Sequence, residues 1–102
     1  MSGLDAQGPR RSAVLYGRVF FVLRKRFELR LSACLLSDVI HTLARRTGWS
    51  YASREYLARI FGTSVRSVQR DIAKLEAQGL VERQNTRLRT TALWQELTGR
   101  DR

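Results

Sequence analysis

Apolar residues between Ser32 and Gly48 repeat at helical spacing. Leu36, Ile40 and Leu43 form a stripe along one side of this segment, a pattern typical of a helix that buries one face. The Ser32 hydroxyl can accept a hydrogen bond from a backbone N–H in the first turn of such a helix. Gly48 can end it, because glycine adopts the left-handed conformation of a helix C-terminus without steric penalty. The pattern therefore predicts a first core helix.

Two further helices are predicted on either side of Gly62, at residues 54–61 and 65–78. A serine, Ser53 or Ser64, precedes each of them and can cap its first turn. Each predicted helix has one apolar face, formed by Leu57, Ala58 and Phe61 in the former and by Val68, Ile72 and Leu75 in the latter. The glycine between them predicts a tight turn that holds the two helices at a fixed angle.

Alternation of apolar and polar residues predicts extended chain after the third helix. The stretches "LVERQ" and "RLRTTAL" form two predicted strands, joined by a turn at Asn85, since asparagine tolerates the positive φ angles of tight turns. The predicted wing covers residues 80–91 of this hairpin. The shorter stretch "WSYA" at 49–52 also alternates. A terminal helix that closes the core or meets a second copy is predicted from the helical spacing of Leu93, Trp94 and Leu97.

The segment that precedes the first helix has a different period. From Val19 to Leu31, apolar side chains occupy alternate positions, which favours extended chain, while a helix over residues 19–27 is the alternative. Residues 1–12 mix glycine, serine, the sole proline and arginine without periodicity, which predicts a flexible basic arm. One domain is predicted over residues 13–98 with a tail at 99–102, because a chain of 102 residues supports a single modest core.

The charge of the chain narrows the choice of partner. The net charge is +10 and the sequence pI is near 11.4. So many positive charges repel one another unless anions bind to them, which indicates nucleic acid as the partner. The apolar stretch at residues 13–23 is interrupted by Arg18 and is shorter than the roughly 20 residues of a membrane span, so no membrane partner is predicted. Cys34 is the only cysteine; it is predicted to be a small core residue, and its lone occurrence fits a reducing cytoplasm.

The side of the third predicted helix that faces away from its apolar stripe has the composition of a groove-reading surface. Arginine can donate two parallel hydrogen bonds to guanine, glutamine can pair with adenine, and serine can bond to either. Alanines on the same side would allow close approach to a groove wall, and the helix start offers backbone N–H groups to a phosphate. The residues on this side are Arg66, Ser67, Gln69, Arg70, Ala73, Lys74 and Ala77.

Several stretches together resemble the winged helix-turn-helix domains, especially those of plasmid and phage replication and regulatory proteins. They are "LS" at Leu31 and Ser32, "AS-REYLA-IFG-S" over 52–64, "SVQR-I-KLE--GLVER" over 67–83, and a basic hairpin. The resemblance covers about residues 20–91. It implies a mainly α fold with a small β-hairpin wing (α+β) around a three-helix core. The third helix would enter the major groove, and the wing at 80–91 would reach the backbone or minor groove.

The resemblance also implies a role for individual residues. Base contacts would come from Arg66, Ser67, Gln69 and Arg70. Phosphate contacts, which position a protein without specifying sequence, would come from Ser53, Arg54, Ser64 and Lys74. Wing contacts would come from Arg83, Asn85, Arg87 and Arg89. The chain departs from the family pattern at Val65, which would either touch a thymine methyl or pack against the core.

Residues suited to catalysis or metal binding are sparse. His41 is the only histidine, and at the margin of an apolar stripe it is predicted to be structural. No metal-ligand spacing and no glycine-rich phosphate loop occurs in the sequence, so neither an enzyme nor a cofactor is predicted. Trp49, Tyr51 and Tyr56 are predicted to pack between the first two helices, and stacking on single-stranded bases, as in RNA binding, is the alternative.

These observations predict a sequence-specific double-stranded DNA-binding protein of the bacterial cytoplasm, associated with the nucleoid or a plasmid. The chain ends soon after the wing, which favours a small transcriptional regulator, a repressor, over a complete replication initiator. A replication or partition accessory protein that binds origin repeats is the alternative, and a protein-interaction module is a third hypothesis. A homodimer is expected, because symmetric dimers are the usual way in which such small domains read a palindrome.

Overall fold

The computed structural model describes residues 21–100. The predicted arm at 1–12, residues 13–20 of the predicted domain, and residues 101–102 of the predicted tail lie outside this range. The described chain is mainly helical and contains one antiparallel hairpin, which confirms the predicted mainly α fold with a β-hairpin wing. Its elements are α1 at residues 21–27, α2 Leu31–Ala44, α3 Arg54–Phe61, α4 Val65–Ala77, β1 Val81–Gln84, β2 Arg87–Thr90 and α5 Ala92–Thr98.

The extended chain predicted before the first core helix is wrong for residues 21–27, which are helical. Leu23 and Phe27 are four residues apart and share one side of α1; Leu23 is fully buried, and Phe27 packs against the same core. Phe21 belongs to the same alternating set but is 69% exposed. The chain leaves α1 at Glu28, whose φ of 55° lies in the left-handed region. Helix α1 therefore covers the core with one face only.

Helix α2 begins two residues earlier than a cap at Ser32 predicts, and it does not use Ser32 as its cap. Arg30 occupies the N-cap position and makes no side-chain capping hydrogen bond. The Ser32 hydroxyl donates instead to Asp71 Oδ2 at 2.7 Å, because this buried carboxylate of α4 lies within reach and needs a donor. The helix ends at Ala44. Gly48, which has a φ of 89°, donates a hydrogen bond of 2.7 Å from its backbone N–H to the Ala44 carbonyl.

The turn between α3 and α4 matches the prediction. The hydroxyls of Ser53 and Ser64 each accept a hydrogen bond from the backbone N–H three residues further on, at 3.0 and 3.1 Å. Gly62 follows α3 with a φ of 62°. Helix α4 ends at Ala77, one residue before the predicted end. Local capping chemistry thus positions both helices.

The hairpin pairs with the chain between α2 and α3. Asn85 has a φ of 59°, as the predicted turn requires. The alternation at 49–52 produces only an isolated bridge, in which Ser50 and Leu88 exchange backbone hydrogen bonds of 2.7 and 3.1 Å. The side chains at 49 and 51 consequently belong to the outer surface of the hairpin, and Leu88 faces the core.

The terminal helix α5 closes the core. Trp94 is fully buried, and its indole N–H donates to Ser37 Oγ at 2.9 Å. Its ring lies 4.7 Å from the ring of His41, whose Nδ1 pairs with Thr90 Oγ1 at 2.8 Å. His41 is therefore structural, as predicted. Burial raises the pKa of the Cys34 thiol to about 11, as suits the predicted small core residue.

Within residues 21–100, no helix is long and apolar enough to cross a bilayer.

Candidate nucleic-acid interface

Helix α4 separates a buried side from a cationic side. Val68, Ile72 and Leu75 are at most 2% exposed. The opposite side exposes Arg66, Gln69, Arg70, Ala73, Lys74 and Ala77. Among residues 21–100, no carboxylate forms an ion pair with any of the three cations of this side. The face predicted to read DNA is thus exposed, and its positive charge is not neutralised within the described chain.

The start of α4 brings three predicted site residues together. The Ser64 hydroxyl, which caps the helix, lies 3.3 Å from the Ser67 hydroxyl, and Arg70 Nη2 donates to Ser67 Oγ at 3.4 Å. Ser67 is half-buried. Val65 is also partly buried and packs against the core. The exposed side chains that can extend toward a partner at this end of the helix are therefore mainly those of the arginines.

Asp71 anchors α4 to the start of α2, an arrangement that sequence reasoning missed. It is 3% exposed and accepts a hydrogen bond from Ser32. Its Oδ1 lies 3.8 Å from Arg30 Nε. A buried carboxylate with a single strong donor restricts how far the helix can rotate. The sequence feature that could have revealed this contact is an acidic residue next to Ile72, on the buried side of the predicted helix.

The wing residues divide between the two faces of the hairpin. Arg87 and Arg89 stand opposite Gln84 and Glu82 in the antiparallel register and share the outer face with them. Arg83 stands opposite Leu88 and lies on the other face. Only part of the predicted wing set thus shares one surface, because side chains alternate along a strand.

Two contacts fix the wing relative to the helices. Arg83 pairs with Glu76 of α4 through two bonds, Nη2 to Oε1 at 2.6 Å and Nε to Oε2 at 3.0 Å. Arg54, at the start of α3, donates from Nη1 to the Thr86 carbonyl of the wing turn at 3.1 Å. Burial, and secondarily the nearby charge of Arg83, lowers the pKa of Arg54. These bonds hold the hairpin turn beside α3 and the first strand beside α4.

Replacing Glu76 by glutamine is expected to reduce the free energy of unfolding at neutral pH by no more than about 1 kcal/mol, since the pair is partly exposed. The hydrogen bond from Arg83 lowers the pKa of Glu76, so its stabilisation is complete above the unfolded-state pKa and is lost as pH falls through the folded-state value. Urea titrations at neutral and strongly acidic pH should show a difference between wild type and variant only at neutral pH.

Glu96→Gln is the matched control, because Glu96 is exposed and forms no ion pair among residues 21–100. An equal loss of stability in Glu76→Gln at both pH values would contradict the role assigned to this ion pair.

The aromatic residues near the wing are not buried between α2 and α3 as predicted. Tyr51 and Tyr56 are 63% and 45% exposed. Trp49 is half-buried beneath guanidinium groups, with Arg89 Cζ 4.2 Å and Arg87 Cζ 5.2 Å from its ring centroid. The bridge at residue 50 explains the difference, because it turns the side chains on either side of it to the outer face of the hairpin.

The outer wing cations are also engaged with polar groups. Arg89 Nε lies 2.7 Å from Glu82 Oε2 in an exposed ion pair. Arg87 donates to Gln84 Oε1, and its Nη1 donates to the Tyr51 hydroxyl at 3.3 Å. The wing therefore presents its arginines in a fixed arrangement, whereas the arginines of α4 have no acidic partner within the described chain.

Within the described part of the chain, no three histidine, cysteine, aspartate or glutamate side chains come close enough to hold a metal ion.

A family model described as a helix-turn-helix domain matches residues 28–81 of the chain, which is more than half of its length. The match contains α2, α3 and α4 and ends at the first residue of β1, so the rest of the hairpin follows it. No curated protein and no solved structure gave a significant match.

Proposed function

This chain belongs to the helix-turn-helix domain family, and from that premise we propose that it binds double-stranded DNA in a sequence-specific manner. Helix-turn-helix domains are DNA-binding domains, and the hairpin that follows the helices makes this one a winged member. The observation that supports the proposal most is the exposed side of α4, with three cations that no acidic side chain pairs among residues 21–100. Such a surface attracts an anionic partner.

Helix α4 enters the major groove in this proposal. Arg66, Gln69 and Arg70 reach base edges, and Ser67 contributes its hydroxyl beside Arg70. Phosphates are held by Lys74 and Arg54, and by the first turns of the helices that Ser53 and Ser64 cap. Small side chains at 73 and 77 allow the helix to approach the groove wall.

The wing contacts the backbone or minor groove on the flank of the site. Arg87 and Arg89 point from one face of the hairpin, and Asn85 lies at its exposed tip. Arg83 acts through Glu76, holding the wing against α4. Arg54 has a second role in the same proposal, because its bond to Thr86 sets the distance between α3 and the wing turn.

In the cell, the protein acts as a small transcriptional repressor in the bacterial cytoplasm and binds its operator as a homodimer. Selection of bound sites from a random duplex pool tests this directly, because the recovered motif reports specificity and symmetry together. An inverted repeat supports the dimeric regulator, and direct repeats support the replication or partition accessory protein instead. Recovery of no motif contradicts sequence-specific binding.

Replacing Arg70 by alanine is expected to weaken binding to the selected site by about 1–3 kcal/mol and to relax preference at one base position, because a bidentate contact to a base edge is lost. Fluorescence anisotropy with the selected duplex and single-base variants of it provides the measurement. Lys74→Ala is the matched comparison; it should weaken binding to all sequences alike. Uniform weakening by Arg70→Ala would assign Arg70 to a phosphate.

A further inference from the structure

A groove of about 440 Å³ lies beside the wing, between the end of α2 and the start of α3. Its walls and floor include Leu43, Trp49, Tyr51 and Tyr56, and Arg46 stands at its edge. We call it the aromatic groove. None of these residues is among those proposed to contact duplex DNA.

The lining of the aromatic groove combines exposed aromatic side chains with positive charge. Tyr51 is 63% exposed, Tyr56 45% and Leu43 38%. Arg46 is exposed at the edge, and Arg87 bonds to the Tyr51 hydroxyl with its Cζ 5.7 Å from the centroid of that ring. Among the described residues, no acidic side chain lines the groove. Exposed rings flanked by cations are the combination that binds unpaired nucleotides, since every base has a face to stack and every phosphate a charge.

The groove adjoins the surface proposed to hold duplex DNA. Tyr51 precedes the cap of α3 by two residues, and Arg87 follows Thr86, the wing residue to which Arg54 donates. A strand that leaves the end of a duplex held by α3 and the wing can therefore reach Tyr51 without crossing the core.

We propose that the aromatic groove binds an unpaired nucleotide of a strand that continues from the bound duplex. The base stacks against the rings of Tyr51 and Tyr56, and its flanking phosphates pair with Arg46 and Arg87. The proposal rests on the duplex-binding function. Local charge argues against a second copy as the occupant, because two copies that met at this groove would bring Arg46 and Arg87 of each chain together.

The test compares dissociation constants for one duplex in three forms: blunt, with an oligothymidine overhang, and with an overhang of abasic residues. Wild type is expected to bind the oligothymidine form about 5- to 100-fold more tightly than the blunt form. The abasic overhang supplies phosphates without bases and should give a much smaller gain. Equal gains from the two overhangs, or none from either, would overturn the proposal. An oligouridine overhang in parallel shows whether a ribose strand occupies the same groove.

Substitutions of Tyr51 and Tyr56 test whether the aromatic groove is the source of the gain in affinity from the overhang. Tyr51→Ala and Tyr56→Ala are expected to lose most of the oligothymidine gain, whereas Tyr51→Phe and Tyr56→Phe should keep it because the rings remain. Dividing the blunt constant by the overhang constant for each protein removes any general loss of duplex affinity. A gain that survives in both alanine variants rejects the groove as its source.

Two further readouts show whether a negative result contradicts the groove proposal or the proposed duplex-binding function. Blunt-duplex binding without an overhang gain refutes the groove proposal alone, and absence of blunt-duplex binding refutes the proposed function. If Tyr56→Ala dissociates a homodimer in sedimentation velocity while the overhang gain is unchanged, the groove is an interface between copies and the proposal fails. The comparison of oligothymidine with abasic overhangs on wild type does not depend on any variant folding.

Discussion

Raising the salt concentration from about 50 to about 200 mM is expected to weaken duplex binding by roughly 40-fold, from a logarithmic slope of about −2.7. The slope follows from the cations that are proposed to contact phosphates and that form no ion pair with a carboxylate among residues 21–100. Each is taken to neutralise one phosphate at about −0.9 per contact. These cations are Arg54, Lys74 and Arg87.

Anisotropy titrations across this salt range measure the slope. Lys74→Ala should make it shallower by about 0.9, because one phosphate contact is lost. Glu82→Gln is the opposite control: it releases Arg89 from its ion pair and should make the slope steeper by up to the same amount. A flat salt response in wild type would contradict phosphate binding and favour an acidic protein surface as the partner.

The parts of the fold that local chemistry determines could be predicted from the sequence. Ser53, Ser64 and Gly62 act on backbone atoms within a few residues of themselves, so the ends of α3 and the start of α4 required no knowledge of the remaining chain. The exposed side of α4 was equally predictable, since the angle between residues of a helix is constant.

Other features depend on contacts that the local pattern does not contain. In α1, Leu23 and Phe27 are four residues apart, and this spacing satisfies a strand period of two and a helical turn equally well. Ser32 has the chemistry of a cap, but the carboxylate that takes its hydrogen bond is 39 residues away. In both segments the sequence allowed two local structures, and tertiary packing decided between them.

The candidate site shows the same division. The cations of α4 were identified from helical geometry alone, whereas the partners of the wing arginines depend on strand register and on which helix lies behind the hairpin. Arg83 lies on the inner face because residue 88 opposite it is a core leucine. The exposure of Tyr51 follows from the single bridge at Ser50, which no pattern of four residues specifies.

Replacing Trp94 by alanine is expected to reduce the free energy of unfolding by about 3–5 kcal/mol. Trp94 is fully buried, and the large cavity left behind would also leave Ser37 Oγ without the indole donor that is 2.9 Å away. This residue lies beyond the helix-turn-helix match, which ends at residue 81. The size of the loss therefore shows whether α5 is an integral part of the domain.

Urea unfolding followed by far-ultraviolet circular dichroism measures the change. Trp94→Phe fills most of the cavity but lacks the N–H donor, so its loss of stability should fall between wild type and Trp94→Ala. Leu93→Ala is the matched control on the same helix; Leu93 is 38% exposed, and the expected change is about 0.5 kcal/mol or less.

If Trp94→Ala and Leu93→Ala proved equally mild, α5 would not contribute to the core, and the domain would be stable on α1 to α4 and the hairpin alone. Because Ser37 and His41 of α2 both contact this indole, we expect the large loss, with the terminal helix unfolding in the same transition as α2, α3 and α4.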